Sequence, residues 1–513
     1  MTDRPVVPLD GTRLDLEDLE ALADRRARAE LTAEGRSRME EGATVVARAA
    51  AGEEPVYGVN TGFGRFAEVR IPFEEAARLQ INLVRSHCAG VGEPFPQEVV
   101  RAMMVTRANV LARGSSGVRP VVVERLLQLL ESGLVPRVPS QGSVGASGDL
   151  TPLSHLALFL IGEGEGWDED GHPVSAAEGL AAAGIEPLHL HPKEGLALLN
   201  GTQASLSVAA LTLLEAERLV RTADVVGALT VEGLKGSTTP FRPEVFELRP
   251  HHGPADVGAN VLALMEGSEI RESHLHCGRV QDAYSLRCMP QVHGAIRAAL
   301  AHVREVLEVE LNAVTDNPLV LPGTGETLSA GNFHGEPIAL VMDYLALAMA
   351  DLANISERRI AAMMEAPGSD LATFLAERGG LQSGFMMSQV TAAALVSENK
   401  GLAHPASVDS VPTGAGREDH VSMSPIAARK ASRITDHTRS VLAIETLCAV
   451  QAIDFHAPLE PGRGTAAVHR AVRDHIPHLA EDRVLSADIE TARGLLADGT
   501  LIEAAEVAAG PLR

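Results

Sequence analysis

The chain has 513 residues, 45% of them hydrophobic, and its 44 basic residues against 68 acidic ones leave a net charge of −24. That size and hydrophobic content suit a large buried core and exclude a disordered chain, while the charge excludes nucleic acid and anionic membrane as partners. No apolar run reaches the roughly 20 residues of a membrane span, and the opening Met1-Thr2-Asp3-Arg4-Pro5 lacks the hydrophobic stretch of a secretory signal, so a soluble cytoplasmic protein is expected. Cys88, Cys277, Cys288 and Cys448 show no Cys-x-x-Cys spacing and suit a reducing compartment. Lys193, Lys235, Lys400 and Lys430 are the only lysines, which leaves few anchors for a pyridoxal-phosphate Schiff base.

In chain order, Pro5 to Leu14 reads as a short extended or hairpin piece around Asp10-Gly11, and Leu16 to Ala50 as two helices interrupted near Thr32. The loop from Val56 to Gly64 holds three glycines and Tyr57, one of three tyrosines in the chain. Helical patterns resume at Glu74 to His87, Gln97 to Arg113 and Pro120 to Ser132. Then comes Gln141 to Leu160, half glycine punctuation and half helix. Asp149 or Thr151 can cap that helix and Pro152 suits its first turn, which puts Ala146-Ser147-Gly148 at a helix N-terminus, where developing negative charge is favoured. Such a stretch can be a plain connection. A phosphate cradle is less suitable, because the Lys-Ser/Thr of a P-loop is missing and Asp149 stands where phosphate would sit. A third reading has the backbone itself react: the Gly148 amide nitrogen attacks the Ala146 carbonyl and Ser147 loses its hydroxyl as water, leaving an electrophilic alkene.

Gly162 to Gly195 is acidic, glycine-rich and contains the only tryptophan, Trp167; it reads as an exposed insertion. Thr202 to Gly233 and Glu336 to Ala366 are long helical patterns, and Val341, Leu345, Ala348, Leu352 and Ile355 step by four, three, four and three, the spacing of a bundle seam. Met386 to Ala403, Val421 to Phe455, Ala466 to Ile476 and Ala487 to Leu496 continue in that style, while Pro318 to Pro322 can pair with Thr327 to Ala330. The expectation is one continuous, mainly α body: a long central helix bundle over 201–460, a smaller N-terminal α+β portion over 1–200 bearing the tripeptide, and a helical portion over 461–513.

Ala-Ser-Gly-Asp-Leu-x-Pro-Leu-x-His, from Ala146 to His155, resembles the self-processed site of the aromatic amino acid ammonia-lyases, in which the three residues become a methylidene-imidazolone (MIO). Further matching motifs run from Tyr57 to Met423. Tyr-Gly-x-x-Thr-Gly-Phe-Gly resembles the family's mobile loop, which makes Tyr57 the catalytic base. Its phenolate then needs help from helix N-termini or cations. Gln281, Tyr284 and Arg287, spaced by three as on one helix face, resemble the carboxylate-binding segment, with Tyr284 joining the catalytic set. Asn200 matches an asparagine that contacts the prosthetic group and substrate, and Phe333 a pocket-lining phenylalanine. Elimination of ammonia needs an electrophile and a base, and the resemblance supplies both without pyridoxal phosphate or metal. His189-Leu190-His191 and His274-Leu275-His276-Cys277 match no zinc spacing. The resemblance also implies a homotetramer with active sites shared between subunits and a small amino acid as substrate.

Two segments speak to that substrate. Family members acting on phenylalanine or tyrosine tend to carry Phe-Leu or His-Leu where this chain has Ser86-His87, and members acting on histidine carry Ser-His. Arg417-Glu418-Asp419-His420-Val421-Ser422-Met423 resembles the Gln-Glu-Asp-His-Val-Ser-Met of the histidine-acting members. Glu418 would face an imidazole; against a phenyl ring it would be buried without a partner. Arg417 departs from the usual Gln and can either pair with Glu418 or point away. The alternatives are a phenylalanine or tyrosine lyase, an aminomutase using the same electrophile, and a non-catalytic helical scaffold.

Overall fold

The computed structural model describes residues 4–365 and 371–513. The chain forms two compact units, one of Met1–Leu211, Arg304–Asp343 and Pro405–Arg429, the other of Thr212–Val303, Tyr344–His404 and Lys430–Arg513. Four of the five boundaries fall inside helices, Gln203–Gly233, Met289–Leu311, Glu336–Glu365 and Ser424–Asp454, which are 31, 23, 30 and 31 residues long. The mainly α expectation holds, with only short strands beside the helices.

In the first unit, Val6–Leu9 is extended as expected, but no hairpin forms: it pairs in parallel with Arg28–Leu31, and helix Leu16–Ala23 makes the crossover. The Asp10 carboxylate ties the turn down instead, accepting hydrogen bonds from Thr12 N at 2.8 Å and Thr12 Oγ1 at 2.6 Å. Thr32, where the helical pattern broke, caps helix Ala33–Ala51 by accepting from Gly35 N at 3.0 Å. Helix Gln97–Ala112 is buried from Val99 onward apart from Arg101, and packs against Leu16–Ala23 and Pro120–Ser132. Leu319–Leu321 and Glu326–Leu328 pair antiparallel, as their spacing predicted.

The stretch from Gly162 to Gly195 is exposed over much of its length, as expected, but it is tied into the fold and its end is buried. Strand Glu165–Trp167 pairs with both Val135–Pro136 and Pro173–Ser175, and helix Glu194–Leu199 is buried throughout. Burial of its charged residues depends on partners far along the chain. Lys193 Nζ donates to Asp316 Oδ2 and to the Ser116 carbonyl, each at 2.8 Å, and Glu194 accepts from Arg119.

The second unit is a bundle in which Val341's seam partners Leu345, Ala348, Leu352 and Ile355 are buried, as is Val341 on the same helix. The pattern that ran on to Ala366 is described as helix to Glu365; Ala366 lies outside the described residues. Helix Glu336–Glu365 is long and on average apolar enough to cross a membrane, with a mean hydropathy of 1.6 over its most apolar part, but Asp343 and Asp351 interrupt its apolar run and 67% of that part is buried in protein. Helices His252–Leu264 and Thr500–Ala509, and helix Met289–Leu311 as far as Val303, also belong to the unit. The interior of the bundle is charged where four helices meet. Arg359 donates to both carboxylate oxygens of Glu445, at 2.5 and 2.9 Å, while Ser356 and Thr230 donate to the same carboxylate at 2.6 and 2.7 Å. His293 joins this group to Asp224, 2.8 Å from its Nδ1.

Both members of the Arg359–Glu445 pair are fully buried, so removing one leaves the other an uncompensated charge. Arg359→Ala is expected to lower stability by about 3–5 kcal/mol, read as a lower denaturant midpoint with an unchanged slope.

Candidate functional site

The glycines before helix Leu150–Leu160 bring two backbones into contact. Gly148 has φ +76, and a Cβ there would lie 2.3 Å from the Gly201 carbonyl oxygen, so the position takes no other residue without a shift. Gly148 and Gly201 form a parallel bridge, and Asp149 N donates to Gly201 O at 2.6 Å. On the other side Met423 N donates to Val144 O at 2.9 Å, and Ser422 Oγ to Gly145 O at 3.2 Å. Ala146 and Ser147 form the turn between these clamps. Asn200 Nδ2 donates to the Ser147 carbonyl at 3.1 Å, while its Oδ1 is buried with no hydrogen-bond partner.

Asp149 does not cap the helix it precedes: no side-chain cap bond forms. Its carboxylate turns to the start of the long Gln203–Gly233 helix, accepting from Ser205 N at 2.6 Å and Ser205 Oγ at 2.9 Å. Burial pushes this carboxyl up to about 6 despite those bonds. Beneath the Asn200-Gly201 turn lies Arg107, fully buried, which donates to Gln203 Oε1 at 2.5 Å and to the Ala197 carbonyl; burial lowers its guanidinium to about 10. Sequence reading missed Arg107, Gln203 and Ser205; the one signal was a charged residue in the mostly apolar stretch from Met103 to Leu111, whose other polar members, Thr106 and Asn109, are neutral.

A cavity of about 670 Å³ opens above the tripeptide, lined within the first unit by Tyr57, His87, Ser147, Asn200, Glu418 and Phe63 among others. Tyr57 stands on a braced loop: the Asn60 amide donates to the Ala49 and Glu54 carbonyls, both at 3.0 Å, and accepts from Val56 N at 2.8 Å. Gly64 N donates to the Tyr57 phenol oxygen at 3.2 Å, and Phe63 meets its ring edge-on. His87 ends helix Ala76–His87, with Nδ1 2.8 Å from the Leu83 carbonyl. A carbonyl can only accept, so Nδ1 carries a proton and donates in this contact, and Nε2 is not engaged by it.

Glu418 is half-buried and accepts from Ser147 Oγ at 2.9 Å through one oxygen and from Thr413 Oγ1 through the other. Arg417 does not pair with it. The guanidinium turns outward to Glu68, 2.6 Å away, and that contact holds the Glu68 carboxyl below its usual range.

The structure does not bring every expected residue to this cavity. Gln281, Tyr284 and Arg287 belong to the second unit, where they contact one another: the Arg287 guanidinium lies 4.5 Å from the Tyr284 ring centroid and donates to Gln281 Oε1 at 3.1 Å. They do not share a helix face, because helix Tyr284–Arg287 begins after Gln281. Tyr284 is 70% exposed. Phe333 is half-buried in the first unit and does not line the cavity.

The raised Asp149 carboxyl has a definite sign in stability. Between the ordinary aspartate value and about 6 the folded chain holds more protons than the unfolded one, so this group favours folding at low pH and that contribution is lost as pH rises through the window. Relative to Asp149→Asn, the parent protein should lose roughly 2–3 kcal/mol between pH ~4 and ~6 and change little above it, measured as the difference between the two melting temperatures across pH.

A family description, "Aromatic amino acid lyase", matches residues 14–474. Histidine ammonia-lyase of Myxococcus xanthus (strain DK1622) is 50% identical over 501 residues, covering 98% of each chain. Among solved structures, histidine ammonia-lyase from Trypanosoma cruzi superposes with a TM-score of 0.91 at 41% identity, covering 98% of this chain and 95% of that one. Tyrosine aminomutase from Streptomyces globisporus gives 0.92 at 39%, covering 99% and 100%. A match of this extent, on a chain whose Ala146-Ser147-Gly148 turn is clamped at the floor of a cavity, makes this protein a member of the aromatic amino acid lyase family, the MIO-dependent carbon–nitrogen lyases.

Proposed function

We propose that the chain deaminates L-histidine without oxidation to trans-urocanate and ammonia, the first step of histidine degradation, in the cytoplasm. The observation that carries this reading is Glu418, whose carboxylate lies 2.9 Å from Ser147 Oγ in a cavity that also contains His87. An imidazole has a donor and an acceptor to offer such groups, and a phenyl ring has neither. Leaving each of these polar groups unpaired beside a phenyl ring would cost roughly 1–3 kcal/mol. The outward turn of Arg417 supports the same reading, because it leaves Glu418 without a competing cation. The relative from Myxococcus xanthus, with its name and 50% identity, adds to it.

The residues present fit the MIO group. Gly148 is held where a side chain would collide, the 146–147 turn is clamped from both sides, and the buried Asn200 Oδ1 lacks a partner. Ala146, Ser147 and Gly148 would form it, the Gly148 nitrogen bonding to the Ala146 carbonyl carbon with loss of that oxygen as water, and Ser147 losing its hydroxyl as a second water. Once formed, the group supplies the electrophile that captures the substrate amine and makes ammonia a better leaving group.

Tyr57 takes the β-proton, and the Gly64 N–H stands ready to stabilise the negative charge on its oxygen. Asn200 orients the tripeptide, and His87 Nε2 with Glu418 holds the imidazole. Arg287, Gln281 and Tyr284 bind the carboxylate and Phe333 lines the pocket, brought there from neighbouring copies in a homotetramer. Exposed Leu340, Tyr344 and Leu347 lie along one side of helix Glu336–Glu365 and favour such an assembly. Neither pyridoxal phosphate nor a metal enters this chemistry.

Cyclisation without any helper predicts an intact mass lower than the sequence by two waters; Ser147→Ala should keep its folded signal, lose only the cyclisation and drop activity at least about 100-fold. The full unmodified mass in active protein would refute it. Substrate choice is tested by supplying histidine, phenylalanine and tyrosine separately and following the unsaturated acid, ammonia and any β-amino acid, the last being the aminomutase product. Histidine should be turned over fastest. Glu418→Ala should lower kcat/KM for histidine by about 10- to 100-fold, and His87→Leu should raise KM for histidine and admit phenylalanine. Faster turnover of phenylalanine or tyrosine by the unaltered protein would overturn the assignment, and no ammonia from any of the three would favour the scaffold reading.

A further inference from the structure

A second constellation of the first unit lies outside the cavity. His334, Glu336 and His420 each present a ligating atom, and those atoms all lie within 4.8 Å of one another. The two imidazoles are stacked, with planes 5° apart and centroids 5.8 Å apart. Among the described residues, none of the three side chains has a hydrogen bond or an ion pair. The backbone that carries them is pinned. His334 N donates to the Gly331 carbonyl at 3.0 Å, Glu336 opens a 30-residue helix, and Val421 N, next to His420, donates to Ser410 Oγ at 3.1 Å.

We propose that His334, Glu336 and His420 bind a divalent transition-metal ion. Two imidazole nitrogens and one carboxylate oxygen suit Zn²⁺, Co²⁺ or Ni²⁺, whereas Mg²⁺ and Ca²⁺ prefer oxygen alone. Ligands about 2.1 Å from zinc in tetrahedral geometry stand about 3.4 Å from one another, so closing the set takes a donor-atom movement of about an ångström, which side-chain torsions can supply. His334 and Glu336 are half-buried and His420 is exposed, which leaves the remaining positions to water. None of the three lines the cavity of the chain that carries them, and the role assigned to the ion is structural. Its role is to fasten two loops together: the one that carries Phe333 directly before His334, and the one that carries Glu418 two residues before His420.

The test uses full-length protein without an affinity tag, stripped with chelator and dialysed, then titrated with Co²⁺ by absorbance and with Zn²⁺ by calorimetry. One ion per chain is expected, with the visible bands of nitrogen and oxygen ligation. His334→Ala and His420→Ala should each weaken binding by roughly 10- to 100-fold and Glu336→Gln by about 10-fold. A His189→Ala/His191→Ala variant should bind as the parent does. Each variant's melting temperature in chelator separates lost ligands from lost folding, and His334→Gln stands in where the alanine variant is unstable. Absence of binding below millimolar ion, equal affinity in parent and single-site variants, or a thiolate-to-cobalt charge-transfer band would overturn the proposal.

Discussion

Two glycines in contact, Gly148 and Gly201, are the constraint from which the site follows. Their backbones approach more closely than any side chain permits, and the contact fixes three things at once. It sets the turn of Ala146 and Ser147, it puts Asn200 against the Ser147 carbonyl, and it brings Asp149 to the first turn of the Gln203–Gly233 helix. Arg107 supports the far side of Gly201: a Cβ there would lie 2.4 Å from the guanidinium. The buried charges of this region are therefore tied to the geometry of a turn. Asp149 remains in an apolar setting because the helix start offers it donors, and Arg107 because Gln203 and the Ala197 carbonyl offer it acceptors.

The second unit uses charge for a different purpose. The Arg359–Glu445 pair with its Ser356 and Thr230 donors lies where a fully apolar core would let long helices slide along one another. Hydrogen bonds between defined atoms select one register, as polar residues do in coiled coils. The apolar seam from Val341 to Ile355 supplies adhesion without selecting that register.

Helix existence was largely legible from periodicity: apolar residues that recur every three or four positions, as from Val341 to Ile355, fall on one face of a helix and would be scattered over both faces of a strand. The gathering of Tyr57, His87, Ser147, Asn200 and Glu418 at one cavity was legible only through the resemblance of their motifs to those of the ammonia-lyases, because no local pattern joins Tyr57 to Glu418. What sequence could not reveal were partnerships made at long range. The parallel pairing of Val6–Leu9 with Arg28–Leu31, the burial of Lys193 by Asp316 and the turning of Asp149 toward Ser205 each depend on a residue that no local pattern points to. Spacing misled at Gln281, where a step of three suggested a helix that begins only at Tyr284. Composition was right about much of Gly162 to Gly195 and misled only at its end, because glycine and acid content reports average exposure and says nothing of the salt bridges that hold Lys193 and Glu194 inside.

The clamp around the 146–147 turn also has an order in time. The Gly145 carbonyl is held by Ser422, 277 residues further along, and Val144 by Met423. A chain still emerging from the ribosome has made Ala146-Ser147-Gly148 and even Gly201 long before the residues that close the other jaw. Until roughly four-fifths of the protein has been synthesised, the tripeptide lacks one of the two sides that hold its turn in the folded chain. The proposed cyclisation, in so far as it rests on this clamp, therefore waits until Ser422 and Met423 have been made and have folded back onto the turn.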